Sequence, residues 1–189
     1  CAELGGKMQV IFGAGDGWVY SFDLEGENGK AKLLWKFDCN PKESLYKLNG
    51  ATRNHLISTP VIYDGLVYIA VGSPFPWSSV DRGTYNPKGG GKNGDSLYTN
   101  STLAINPDTG KLVWYYQHLP NDTFDQDYAF ERVVAPVQWR AGKRKAVIAA
   151  AKPGVIEALD AATGKFLFAK DPGAQNIFTF NEETGVKTL

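Results

Sequence analysis

Residues 101–114 read STLAINPDTGKLVW, and this stretch decides the fold. Leu103 and Ile105 alternate with smaller or polar residues, which places them on one face of an extended strand. Asn106 can hydrogen-bond the backbone of its own turn, and Gly110 supplies the positive φ that a tight turn needs. The chain then returns in a second strand that ends on an aromatic ring. The stretch therefore predicts a β-hairpin.

The same pattern recurs along the chain, which indicates a repeat architecture. Residues 18–35 read WVYSFDLEGENGKAKLLW, residues 154–168 read GVIEALDAATGKFLF, and a partial copy, NIFTFNEETGVKTL, occupies 176–189. Each full copy ends on a large ring. We expect these rings to pack between neighbouring sheets, and they are Trp35, Trp114 and Phe168.

A further pair of predicted strands precedes each hairpin. Residues 58–72 read STPVIYDGLVYIAVG, with an Asp64-Gly65 turn signal between two β-branched runs. Residues 133–151 repeat this arrangement around Ala141-Gly142. Four antiparallel strands in about 50 residues, closed by an aromatic, are typical of a propeller blade. The sequence therefore predicts an all-β fold, a β-propeller built of four-stranded antiparallel blades.

Three blades and the start of another can be distinguished. They span approximately 9–37, 57–117, 133–170 and 174–189, and the first lacks its opening strand. Because closed propellers have roughly four to eight blades, about three to three and a half blades predict a partial propeller. A half that closes by self-association with a second chain is the alternative.

Composition excludes several classes of function. The 189 residues include 20 Lys and Arg and 20 Asp and Glu, so no excess charge favours nucleic acid or an anionic membrane. No run approaches the roughly 18 apolar residues of a membrane span, so no transmembrane segment is predicted. Two cysteines, Cys1 and Cys39, cannot build a disulfide framework. Cys1 at the start of the chain fits either a lipid-anchored mature lipoprotein or a fragment boundary.

Residues 106–114, NPDTGKLVW, resemble the tryptophan-docking motif of a family of eight-bladed propellers. These are the dehydrogenases that use pyrroloquinoline quinone (PQQ) to oxidise alcohols. The similarity continues through 96–132, which resembles the active-site blade of that family, and 143–168, which resembles the following blade. The segment before residue 58 is more similar to PQQ-like repeat proteins without known catalysis. The resemblance implies that the predicted blades belong to an eight-bladed fold.

Residues 120–127, PNDTFDQD, resemble the family's loop Pro-His-Asp-x-Trp-Asp-x-Asp. By that match Asp125 would be the catalytic base that takes the alcohol proton, and also a metal ligand. Asp127 matches the extra carboxylate of members that use a lanthanide ion instead of Ca²⁺, and a trivalent ion favours more anionic oxygens. From spacing alone, three carboxylates that include Asp122 also fit a solvated acidic loop.

Three further residues match cofactor or metal positions of the family. Lys152 matches a cation beside the quinone carbonyls, where it would stabilise developing negative charge; a surface lysine near a turn is the alternative. Trp77, in the long loop 72–95, matches a cofactor-binding tryptophan. Ser73 stands where the family commonly has a metal-ligating Asn. The Trp against which the quinone stacks in the family has no counterpart in 54–61.

Two functions of different class follow. The resemblance implies a periplasmic or secreted PQQ-dependent alcohol dehydrogenase, with PQQ and a Ca²⁺ or lanthanide ion as cofactors. Its partners would be a small alcohol substrate and an electron acceptor such as a cytochrome c. Asp125, Asp127 and Lys152 favour this function. Ser73 and the missing Trp favour the alternative, a non-catalytic PQQ-like repeat propeller that acts as a scaffold or protein-interaction module.

Overall fold

The computed structural model describes residues 1–40, 55–82, 84 and 96–188, and the regular structure in these ranges is all β. The first sheet contains β1 (Ala2–Leu4), β2 (Lys7–Gly13), β3 (Trp18–Glu27) and β4 (Lys30–Asp38). The second contains β5 (Val61–Tyr63), β6 (Leu66–Val71), β7 (Ser101–Ile105) and β8 (Leu112–Gln117). The third contains β9 (Val133–Trp139), β10 (Gly142–Ala150), β11 (Ile156–Asp160) and β12 (Phe166–Lys170). A two-stranded sheet, β13 (Thr179–Phe180) and β14 (Lys187–Thr188), follows.

Each four-stranded sheet is an antiparallel meander in which sequence neighbours pair, as β1-β2-β3-β4, β5-β6-β7-β8 and β9-β10-β11-β12. This is the blade topology of a β-propeller, and it confirms the predicted fold class. Residues 41–54, 83, 85–95 and 189 lie outside the described part, and they include half of the predicted loop 72–95.

The first sheet differs from the sequence prediction because it has an opening strand. β1 pairs with β2 in the register Ala2↔Gln9, so the expectation of a first blade without this strand is wrong. The strand is only three residues long and gives little alternation signal. Gly5 and Gly6 join it to β2 with φ of 56° and 71°. Two successive positive φ values form the type of hairpin turn that Gly-Gly favours.

Two tryptophans lie between neighbouring sheets, each against a turn glycine. The Trp35 ring covers Gly110, and its Nε1 donates a hydrogen bond to the carbonyl of Pro107. The Trp114 ring covers Gly164, and its Nε1 donates to the carbonyl of Ala161 at 3.1 Å. A Cβ added at Gly164 would come within 2.5 Å of the ring, so this position requires glycine.

The third predicted ring, Phe168, does not follow this pattern. It stacks on Trp139 of its own sheet at 5.7 Å between ring centroids, and Phe166 contacts the next turn glycine, Gly185. A register shift in the β11–β12 pairing sets Phe166 opposite Leu159 and Phe168 opposite Ala158, so the two phenylalanines lie on opposite faces of the sheet. Phe168 therefore packs with Trp139 on the face away from Phe166. The expectation for Phe168 is therefore wrong.

The buried core is continuous across the stacked sheets. One cluster joins the first and second sheets and includes Val19, Ile69 and Leu103. A second joins the second and third sheets and includes Val147 and Leu159. Every residue of β7 is buried. The second sheet is thus held on both faces, which fixes the loops at its ends.

The loops of interest below all leave one end of the sheets. In the second sheet Val71 pairs with Ser101, and Ser101 pairs with Gln117, so the end of β6, the start of β7 and the end of β8 lie together. In the third sheet Ala150 pairs with Ile156, which places the turn between β10 and β11 at the end of that sheet. Within the described ranges, no helix is long and apolar enough to cross a membrane.

Candidate active site

Asp125 and Asp127 lie in the loop that follows β8, and a buried carboxylate closes this loop. Asp122 is fully buried. Its Oδ1 accepts a hydrogen bond from the amide of Phe124 and its Oδ2 accepts one from the amide of Gln126, both at 2.8 Å. Asp125 and Asp127 have left-handed backbones, with φ of 57° and 35°, which residues other than glycine adopt at a cost. The loop geometry therefore depends on contacts made from outside these two residues.

The loop after β6 packs directly onto this loop through Ser73. The Ser73 hydroxyl donates to Asp122 Oδ2 at 3.0 Å and accepts from the amide of Asp127 at 3.0 Å. The Ser73 amide donates to Asp127 Oδ1 at 3.1 Å. Asn100 adds a second bridge, because its Nδ2 donates to Asp122 Oδ2 at 2.9 Å while its Oδ1 accepts from the amide of Tyr128 at 2.9 Å. The two loops form one hydrogen-bonded unit.

Arg82 fixes the segment that carries Trp77. The guanidinium is almost fully buried, and its Nη1 donates to the carbonyls of Pro76 and Trp77. Its Nη2 donates to the carbonyl of Asp122 at 2.7 Å and to Asn121 Oδ1 at 3.2 Å. The Trp77 ring remains 54% exposed. An exposed aromatic face is thus held on a rigid loop next to the acidic loop.

The third sheet contributes the cation of the site. Lys152 follows β10, and its Nζ lies 2.8 Å from Asp125 Oδ2 and 2.7 Å from Asp127 Oδ2. The Lys152 side chain is 42% exposed and the Asp125 side chain is 50% exposed. The Asp127 side chain is less exposed. One ammonium group therefore joins two carboxylates across the interface between the second and third sheets.

This geometry favours the charged forms of Asp127 and Lys152. Partial burial opposes ionisation of Asp127, but hydrogen bonds from Lys152 and Ser73 outweigh it and hold the pKa of that carboxyl below its usual value. Burial also acts to lower the pKa of Lys152, but hydrogen bonds to Asp125 and Asp127 outweigh that effect and raise it. The site therefore contains one cation between two carboxylates.

The structure brings together four of the five residues singled out in the sequence. Asp125, Asp127 and Lys152 form the ion-pair cluster, and Ser73 binds Asp127 directly. Trp77 lies on the Ser73 loop, held through Arg82 rather than by a contact with the cluster. The roles of these residues as base, metal ligands and cofactor contacts stay predictions.

A hard cation fits part of this site. The two carboxylates already share one positive charge, and carboxylate oxygens are the ligands that Ca²⁺ and trivalent ions prefer. The Ser73 hydroxyl already donates to Asp122 and accepts from Asp127, so it has one lone pair left to offer. In the part of the chain that the structure describes, no group of three or more His, Cys, Asp or Glu side chains could hold a metal. The site therefore supplies two anionic ligands for a metal ion, the carboxylates of Asp125 and Asp127.

A buried polar network lies behind the acidic loop. His118 Nδ1 contacts Glu157 Oε2 at 3.1 Å and its Nε2 contacts Thr102 Oγ1 at 2.8 Å. Arg132 Nε donates to Thr102 Oγ1 at 2.7 Å, and its Nη2 donates to the carbonyl of Tyr128 at 2.7 Å. The His118 ring stacks on the Tyr128 ring at 4.7 Å between centroids. Because Tyr128 follows Asp127, the network supports the end of the loop.

The protonation states in this network follow from burial and from its charges. Burial lowers the pKa of His118 to about 4, more than the nearby Glu157 raises it. Burial opposes ionisation of Glu157, but His118 and Lys187, whose Nζ is 2.7 Å from Glu157 Oε1, lower its pKa to about 2. With Glu157 ionised and His118 neutral, Nδ1 of His118 carries the proton and donates to Glu157.

Sequence reasoning missed Arg82, Asn100 and the His118–Glu157 pair. Arg82 and Asn100 lie in loops. Arg82 binds mainly backbone carbonyls, and Asn100 binds the Asp122 carboxylate and the Tyr128 amide, so no local sequence pattern marks either residue. Glu157 could have been found, because a charged residue among buried apolar strand residues is rarely buried unless it is paired.

Stacked four-stranded antiparallel blades with interleaved tryptophans define the protein as a β-propeller, with its candidate site in loops at one end. The family model for the PQQ "glucose/ethanol/alcohol dehydrogenase, beta-propeller domain" matches residues 11–171, and the chain belongs to this family. Its relatives are quinone-dependent alcohol dehydrogenases.

Two of these relatives illustrate the extent of the similarity. The chain is 37% identical over 196 residues to "quinohemoprotein alcohol dehydrogenase ADH IIB" of Pseudomonas putida, which covers 88% of this chain and 26% of that protein. It is 36% identical over 116 residues to "1-butanol dehydrogenase (cytochrome c)" of Thauera butanivorans, which covers 61% of this chain and 15% of that protein. The chain thus spans about a quarter or less of these relatives.

A solved structure supports the fold. A europium-containing methanol dehydrogenase superposes with a TM-score of 0.69 at 20% identity, covering 87% of this chain and 32% of that chain. At that identity the similarity concerns the fold alone.

Proposed function

We propose that the protein takes part in the PQQ-dependent oxidation of an alcohol, with Asp125 as the general base. The observation that carries the proposal is the contact of the Lys152 ammonium with both Asp125 and Asp127. These three charges meet in a chain whose family comprises PQQ-dependent dehydrogenases. A clustered acid–lysine site where two blades meet provides a base and a fixed positive charge within one small volume.

Asp125 has the properties that a proton acceptor needs. Its carboxylate is half exposed, so a hydroxyl group can reach it from solvent. Lys152 holds Oδ2 and so orients the carboxylate. A positioned base within hydrogen-bond reach of the hydroxyl lowers the barrier to its deprotonation.

Lys152 would stabilise negative charge that develops beside Asp125 during the reaction. PQQ, when bound, supplies the two-electron acceptor for hydride, and a metal ion polarises its quinone. The exposed Trp77 ring offers a flat apolar surface for a flat cofactor. Arg82 keeps that ring on a fixed backbone.

Asp125 and Asp127 would hold the metal ion, with Ser73 as the third protein ligand. Two carboxylates with one lysine carry a net negative charge, which favours a Ca²⁺ ion and still more a trivalent lanthanide. The second carboxylate of the pair, Asp127, supplies the additional anionic oxygen. Its depressed pKa keeps it charged in neutral solution.

The remaining parts of the proposal concern partners and location. The substrate is a small alcohol and the electron acceptor is a cytochrome c, in line with the printed name of the Thauera relative. We place the protein in the periplasm or outside the cell. Self-association that closes the propeller is the last part of the proposal.

A cofactor titration tests the proposal. Quenching of tryptophan fluorescence by PQQ should saturate when Ca²⁺ or La³⁺ is present and should weaken when a chelator removes the metal. Ethanol should then drive dye reduction by the loaded protein. If PQQ at high micromolar concentration gives no saturable quenching with either metal, the proposal is overturned and the scaffold alternative is favoured.

A further inference from the structure

We infer that Asp122 is a positioning residue whose buried carboxylate sets the placement of the Asp125 and Asp127 carboxylates. The inference rests on the proposed function, because it assigns Asp122 a role in that same site. Asp122 does not contact Lys152; it acts through the loop that carries the other two acids.

The Asp122 carboxylate accepts four hydrogen bonds, all from groups that shape the site. Oδ1 accepts from the Phe124 amide at 2.8 Å, and Oδ2 accepts from the Gln126 amide at 2.8 Å. Oδ2 also accepts from Asn100 Nδ2 at 2.9 Å and from the Ser73 hydroxyl at 3.0 Å. An ionised carboxylate has about four acceptor positions, so this set uses its capacity.

These contacts hold the backbone on both sides of the proposed base, Asp125. Asp125 lies between two residues, Phe124 and Gln126, whose amides both point to Asp122. The next amide, that of Asp127, donates to Ser73 Oγ, which itself donates to Asp122. The backbone from 124 to 127 is therefore fixed by one side chain and its hydroxyl partner.

The loop needs such a constraint because of its backbone conformation. Asp125 and Asp127 both have positive φ, and a strained backbone persists only where the surroundings over-determine it. Without the Asp122 acceptors the segment would relax toward negative φ. The two carboxylates would then no longer meet at one ammonium group.

The variant Asp122→Asn isolates this role with almost no change in size. An amide has one acceptor oxygen and one donor nitrogen. Its NH₂ group must face either the Phe124 amide or the donors at Oδ2, and a donor facing a donor is repulsive. Asn100→Ala, which removes one of the four donors, is a milder second variant that tests the same role if Asp122→Asn fails to fold.

The first readout is the Lys152 ammonium in the metal-free protein, observed by NMR with ¹⁵N-labelled lysine. A side-chain NH₃⁺ held by two carboxylates should give a slowly exchanging signal in the wild type. We expect Asp122→Asn to lose this signal and Asn100→Ala to weaken it. Gly29→Ala, which is destabilised at an exposed turn of the first sheet and lies outside the interface between the second and third sheets, should keep it.

The second readout is Tb³⁺ luminescence, with the metal alone as the probe. Asp122→Asn should bind Tb³⁺ at least about tenfold more weakly than wild type, whereas Gly29→Ala should bind with unchanged affinity. A Lys152 signal that persists in folded Asp122→Asn overturns the inference, as does an equal loss in Gly29→Ala. Failure of the wild type itself to bind Tb³⁺ contradicts the proposed metal function instead, and the Lys152 signal still tests Asp122.

Discussion

At the scale of single residues, the site is a balance of three charges. Lys152 neutralises one of two carboxylates and occupies the position between them where an added cation would experience the strongest attraction. Electrostatics therefore makes the ammonium and a metal ion competitors for Asp127. Removal of the lysine should affect metal binding and catalysis in opposite directions.

Lys152→Gln should raise the affinity for Tb³⁺ by about tenfold, because the carboxylate pair gains a full negative charge toward the metal. It should lower the rate of alcohol-dependent dye reduction by the PQQ-loaded protein, because the cation that stabilises developing charge is lost. Luminescence titration and the dye assay measure the two effects. The exposed Lys145 provides the control, and Lys145→Gln should alter neither. Equal Tb³⁺ affinity in wild type and Lys152→Gln would contradict the competition.

The residues of the cluster were predicted from the sequence through their resemblance to a family loop, and the structure brings Asp125, Asp127 and Lys152 within hydrogen-bond distance. Their supports could not be predicted in the same way. Asp122 was noticed only as one more carboxylate, and Arg82 not at all. Arg82 binds the backbone of a loop that is distant in sequence, and Asp122 binds the distant side chains of Ser73 and Asn100, so only the folded chain reveals these contacts.

At the scale of strands and turns, the buried network around His118 makes stability depend on pH. The folded protein keeps His118 neutral, with a pKa of about 4, whereas an unfolded histidine titrates at about 6.5. Between these values the unfolded chain binds a proton that the folded chain does not, so stability falls as the pH falls. Glu157, whose folded pKa of about 2 is also depressed, loses its contribution further into acid.

Chemical denaturation between about pH 7 and pH 4 should therefore show a progressive loss of stability. His118→Gln should lower stability at neutral pH but flatten the dependence between these values. The control is His55→Gln, at an exposed histidine, which should keep the wild-type slope. The same slope in His118→Gln as in wild type would show that the acid sensitivity arises elsewhere.

The turn glycines test how the blades are joined. Gly164 and Gly29 have similar φ values, 70° and 73°, but only Gly164 lies under a tryptophan ring. Gly29→Ala should cost about 1 kcal/mol for the left-handed backbone. Gly164→Ala should lower the free energy of unfolding by the same backbone cost and by roughly 1–3 kcal/mol more, because the methyl group collides with Trp114. Denaturant midpoints measure the difference, and equal losses would mean that the ring contact does not constrain the turn.

Most of these elements were accessible from the sequence because hairpin turns and strand alternation are local signals. Asp64-Gly65 and the Thr-Gly turns lie where they were predicted. β1 was missed because three residues are too short to show alternation. Phe168 was assigned to the wrong contact because a β-bulge between β11 and β12 puts Phe166 and Phe168 on opposite faces, and strand alternation alone does not show the bulge.

At the scale of the whole molecule, the candidate site depends on two blades. The second sheet supplies Asp125 and Asp127, the third supplies Lys152, and Trp114 joins these sheets through its bond to Ala161. The precision of the charge cluster therefore depends on how the blades pack. Since the chain spans about a quarter of the Pseudomonas relative, the activity of the full enzyme enters here only as a proposal.

Alcohol-dependent dye reduction by protein loaded with PQQ and Ca²⁺ or La³⁺ tests the proposed reaction most directly when wild type is compared with Asp125→Asn. The proposal predicts that wild type reduces dye in proportion to ethanol, whereas Asp125→Asn retains bound PQQ and reduces dye at least about a hundredfold more slowly. Asp108→Asn, at an exposed aspartate of a hairpin turn, should match wild type. Dye reduction by Asp125→Asn at the wild-type rate would contradict the assignment of Asp125 as the base.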